Sequence, residues 1–120
     1  MIPNQPMPGQ VAMQTTAVPV LDAGKLRRQT MGDPAMQVEV LALFVAEAER
    51  LMRQVEDAPN AEVRADRLNA IIGLARNIGA ERLAQAARTV EQQIGSDQPE
   101  LGLLRTAIAE TLAYVQHTTG

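Results

Sequence analysis

The chain has no cysteine and no tryptophan, and its one histidine is His117. Without cysteine there is no disulfide frame, no thiolate nucleophile and no cysteine metal site. A single histidine gives neither a clustered metal site nor a histidine-based triad anything to build on, and no metal or cofactor is expected. The only aromatic residues are Phe44 and Tyr114. No apolar run approaches the roughly 18 residues of a membrane span. A block of lysine and arginine is also absent. The net charge is −3 with both signs interspersed, which argues against nucleic acid, because phosphate neutralisation needs clustered cations. The N-terminus lacks a basic stretch followed by an apolar one, the mark of a secretory signal. The expected location is cytoplasmic.

What is present points to helix. At 120 residues the chain suits one domain. Hydrophobic residues make up 46%, and with few aromatics the core must come from Leu, Ile, Val, Ala and Met. Alanine and leucine favour helix, while the β-branched and aromatic residues that favour strands are few.

Residues 1–20, "MIPNQPMPGQVAMQTTAVPV", hold no charge and four of the seven prolines. Proline removes a backbone donor and disfavours helix for the residue before it. This stretch reads as a flexible tail, or as a docking peptide that orders on a partner. From 21 to 118 the pattern is helical. Asp22 caps a short helix through about Met31, with Leu26 inward, and Gly32 ends it. Asp33-Pro34 opens the next helix as cap and first-turn proline. Its apolar stripe is Met36, Val40, Phe44, Ala48, Leu51 and Val55.

Asn60 caps the third helix and Gly79 closes it in the left-handed conformation. The turn at Gly79-Ala80 is so short that the fourth helix must run back antiparallel. Its stripe is Leu83, Ala87, Val90 and Ile94, ended by Gly95. Asp97 with Glu100 forms a capping box for the fifth, which buries Leu101, Leu104, Ile108, Leu112 and Val115. The expected fold is all-α: an antiparallel four-helix bundle with an additional short N-terminal helix.

The third helix repays a reading face by face. With Asn69 at zero and 100° per residue, Leu68, Ile71 and Ala75 fall near about −100 to −160°, toward the core. Glu62, Asp66 and Gly73 lie within about 60° on the other side, and Arg76 is almost in line with Asn69 two turns on. Ile72, near about −60°, borders the buried side. Gly73 is out of place, because glycine inside a helix costs about 1 kcal/mol relative to alanine. Close packing or chance would account for it. So would a partner that must come close to the helix beside Asn69.

The run "NAIIGLARNIGA", residues 69–80, resembles the signature of the histidine-phosphotransfer (HPt) family, roughly H-x-L-K-G-S-A-x-x-L-G-A. Gly73, Ala75, Ile78, Gly79 and Ala80 match, and Ile71 stands for the leucine. Upstream, "LRRQTMGDPAMQVEVLALFVAEAERLMRQV" is similar to that family's opening segment, a helix ending in Gly-Asp and then a long helix with a central phenylalanine. The resemblance covers about residues 21–116. It implies a four-helix bundle in a two-component phosphorelay.

The departures fall where the chemistry would be. The resemblance puts Asn69 at the phospho-accepting histidine, Ile72 at the lysine and Leu74 at the small residue after the glycine. A carboxamide cannot replace imidazole. Its nitrogen lone pair is delocalised into the carbonyl, and its oxygen is a poor nucleophile. Losing the lysine removes a charge that would balance an incoming phosphoryl group.

The resemblance therefore implies a degenerate module, not an enzyme, with no catalytic residue. It would bind a response-regulator receiver domain or a histidine kinase without carrying phosphate. Its docking face would be Ala65, Asp66, Asn69, Ile72, Gly73 and Arg76. Ile72 would be an exposed apolar contact, and Arg76 would face an acidic receiver pocket. For any one of these residues the alternative is ordinary helix surface. Two other functions stay open: a helical protein-binding module outside signalling, and active phosphotransfer through another residue, for which His117 is the only candidate.

Overall fold

The computed structural model describes residues 18–93 and 101–119. Five helices carry the described chain, and no strand occurs among these residues. They are α1 (Ala23–Gln29), α2 (Pro34–Glu56), α3 (Ala61–Ile78), α4 (Glu81–Glu91) and α5 (Leu101–Thr119).

Helix starts follow local chemistry. The Asp22 carboxylate accepts from the Lys25 N–H at 3.1 Å. Asp33 accepts from Ala35 at 3.0 Å and Met36 at 3.4 Å, with Pro34 in the first turn. Asn60 accepts from Val63 at 2.9 Å. Each cap satisfies backbone donors that a helix start leaves without an intrahelical partner.

Helix α1 stops at Gln29 rather than near Met31. Thr30 caps it, and both Met31 and Gly32 take positive φ. Thr30 is buried because its hydroxyl donates back to the Leu26 carbonyl at 2.8 Å. Helix α4 ends at Glu91, four residues before Gly95. Ile94, Gly95 and the expected Asp97–Glu100 capping box lie outside the described residues.

The corner at the end of α3 is fixed by backbone bonds. Gly79 is left-handed at φ +84°, and Ala80 N–H donates 2.8 Å to the Ala75 carbonyl. That six-to-one bond is the mark of a Schellman motif. The segment before α1 straps across this corner. Asp22 N–H donates to the Gly79 carbonyl at 2.8 Å, and Arg82 N–H donates to Pro19 at 3.2 Å. The Arg82 side chain reaches the Val18 carbonyl at 2.8 Å and Glu110 at 3.1 Å. Val18 and Pro19, the far end of the stretch read as a tail, are thus held against α4.

Packing closes a ring. Helix α2 lies against α3, α3 against α4, α4 against α5 and α5 against α2, while α1 lies on α3. Leu41, Phe44, Leu51 and Val55 of α2 meet Leu68, Ile71, Ala75 and Ile78 of α3 in one core. Leu83, Ala84, Ala87 and Val90 of α4 and Leu104 of α5 complete it. The core is aliphatic apart from Phe44.

Two stripes differ from expectation. On α2 burial begins with half-buried Val40, and Met36 is exposed. The face of α5 is centred on Leu104, Ala107, Thr111 and Val115, with Leu101, Ile108 and Leu112 half-buried beside it. Thr111 can sit inside because its hydroxyl donates to the Ala107 carbonyl at 2.8 Å. Among the described residues no buried side-chain polar atom lacks a hydrogen-bond partner, so the interior carries no desolvation penalty of that kind.

Candidate functional site

Helix α3 positions the candidate face. Its inner side is fixed by Leu68, Ile71 and Ala75, all fully buried. Because the helix turns about 100° per residue, that anchoring sets the orientation of everything else on it. Asn69 is exposed in the middle of the helix, as are Asp66, Gly73 and Arg76, and Ala65 is half-buried. These residues share one outward side.

Ile72 does not join them as an exposed contact. It is only 8% exposed and belongs to the core cluster. Its wheel position bordered the buried side, and tertiary packing covers it. The face is consequently polar, without an apolar centre at Ile72.

Gly73 stands in open space. A β-carbon built there would meet nothing within 4 Å. Packing among the described residues therefore gives no reason for a glycine at this place. The Asn69 carboxamide makes no hydrogen bond among the described residues, and Arg76 makes no ion pair there. Asp66 is paired with the neighbouring Arg67. The face thus offers a free amide donor and acceptor, a free guanidinium and a low surface between them. One border of it was not legible beforehand. Gln29 of α1 donates to the Asn77 side chain at 3.4 Å, so α1 flanks the far end of α3.

The exposed groups of the face are hydrogen-bonding and charged ones, from Asn69, Asp66 and Arg76. The Asn69 carboxamide and the Arg76 guanidinium donate hydrogen bonds, and the carboxamide oxygen also accepts them. His117 is exposed near the end of α5. Among the described residues, no group of three or more His, Asp or Glu stands together to hold a metal ion. Among them also, no helix is long and apolar enough to cross a membrane.

The titration shift of note lies elsewhere, on α2. There Arg50 hydrogen-bonds the Glu47 carboxylate, pulling that carboxyl below its ordinary range and raising the guanidinium. Both side chains are well exposed, so this is a solvated surface pair.

No protein-family model, curated protein or solved structure matches this chain.

Proposed function

We propose that the chain is an HPt-like signalling module that docks a receiver domain or a histidine kinase without carrying phosphate. In this reading the four longer helices form an antiparallel bundle, and the α3 face around Asn69 is the docking surface. One observation carries it. Asn69 is exposed in mid-helix, one turn from a glycine in open space and two turns from an arginine with no ion pair among the described residues. That is an arrangement for close approach by a partner. The resemblance in the run 69–80 supports the choice of partner. Asn69 hydrogen-bonds at the contact, Arg76 meets an acidic pocket, and Gly73 keeps the approach clear. Such a module would sequester, inhibit or scaffold its partner.

The test combines binding with chemistry. Receiver domains from the same organism are titrated against the chain. In parallel the chain is incubated with radiolabelled ATP, an active kinase and its phosphorylated receiver. Saturable binding is expected, with no acid-labile, base-stable label on the chain. A label that disappears in His117→Ala would establish active phosphotransfer instead. No binding to any receiver or kinase would favour a helical binding module outside phosphorelay signalling.

A further inference from the structure

Helix α2 has an outward face of its own, on a different helix from the face around Asn69. Leu43 is 71% exposed. At 100° per residue it lies with Glu39, Ala42, Ala46 and Arg50 in an arc of about 100°. All five are exposed. The arc stands diametrically across the helix from Leu41, Phe44 and Ala48, which are buried. No other described element covers it.

The order along this arc is acid, small and apolar residues, then base. Glu39 stands toward one end and Arg50 toward the other, about 16 Å apart along the axis, with exposed Arg53 one turn beyond Arg50 in the same arc. Ala42, Leu43 and Ala46 lie between them with no charge in the arc. The pair Glu39 and Arg50 and the pair Leu43 and Ala46 share one midpoint, between residues 44 and 45. A face of this kind is complementary to its own reverse.

We infer that this face joins a second copy of the chain through an antiparallel α2–α2 contact about a two-fold axis. The axis passes through the shared midpoint. Leu43 then packs on Ala46 of the second copy, and Glu39 meets Arg50 of the second copy. Symmetry makes each contact twice. The alanines let the two backbones approach, and the leucines supply the apolar area. Arg50 can serve both neighbours. Its Nε donates 2.9 Å to one Glu47 oxygen and its Nη2 to the other, which leaves further guanidinium donors for Glu39 of the second copy. A partner of other composition would have no reason to match the shared midpoint.

One helix from each copy makes a small interface, so the association is weak, with a dissociation constant in the micromolar range or above. Sedimentation equilibrium of the full chain, from roughly 10 μM to 1 mM, reads it directly. The weight-average mass should rise from the 13.0 kDa of one chain toward twice that value. Glu39→Arg alone sets like charges opposite each other twice, and Arg50→Glu alone does the same. Each should weaken association by about tenfold.

An equimolar mixture of the two variants puts an acid opposite a base at both ends again, and association should return. A mass of 13.0 kDa at every concentration overturns the proposal. So does association that neither variant weakens, or a mixture no stronger than the variants alone. Either of the last two results would place the contact on another face or with another occupant.

Discussion

Gly79→Ala should lower the stability of the fold by about 2–4 kcal/mol. Two costs add. The residue sits at φ +84°, where a β-carbon clashes with the adjoining backbone at about 1–2 kcal/mol. That β-carbon would also stand 2.7 Å from the Asp22 β-carbon and 3.3 Å from its backbone nitrogen and oxygen. The backbone of the strap has to move. Asp22 holds the first turn of α1 through Lys25 and is itself held by the Gly79 carbonyl, so the cap is disturbed with it. For a domain of this size the loss corresponds to a fall in Tm of roughly 10–20 °C. Gly73→Ala should do the reverse, raising stability by about 0.5–1 kcal/mol, because its place is open and helical. Paired melting curves check both. A Gly79→Ala variant as stable as the parent would mean that the strap does not lie on this corner.

Leu68→Ala and Asn69→Ala, neighbours in sequence, should differ by several kcal/mol. Leu68 is fully buried, so its truncation loses transfer energy and leaves a cavity, at about 2–5 kcal/mol. Asn69 is exposed, and its side chain makes no hydrogen bond among the described residues. Its truncation should stay within about 0.5 kcal/mol, with a slight gain because alanine is the better helix former. Urea melts of the two variants measure this. A comparable loss at Asn69 would mean that its side chain is an internal strut, and the docking face would fall with it.

Much of the fold was legible because it rests on local chemistry. Asp22, Asp33 and Asn60 cap helices through their own side chains, and Gly79 ends α3 through its own backbone. Such signals need no knowledge of neighbours. Rotation of a helix about its axis does need it. The stripe expected on α5 consists of leucine, isoleucine and valine, whereas the centre of its buried side includes Ala107 and Thr111. A threonine reads as polar in sequence, and its bond to the Ala107 carbonyl removes that polarity from the reckoning.

Ile72 failed for a related reason, since a boundary position is assigned only when a neighbour covers it. The strap from Val18 to Asp22 was hidden as well. Its bonds run to Gly79 and Arg82, some sixty residues away, and are made by backbone carbonyls and an N–H that carry no sequence signal. On the candidate face, Asn69, Gly73 and Arg76 were placed outward by the wheel alone, and the structure places them there too. What such a face binds is a matter of resemblance, and periodicity says nothing about it.

A receiver-binding titration with Gly73→Arg, beside a melting curve, tests the docking face most directly. Arginine is the better helix former by about 1 kcal/mol, and the place is open. The variant should melt at or above the parent's Tm while saturable binding to receiver or kinase disappears. Binding that stays unchanged in a fully folded Gly73→Arg variant would show that the partner does not use this face, and would contradict the account.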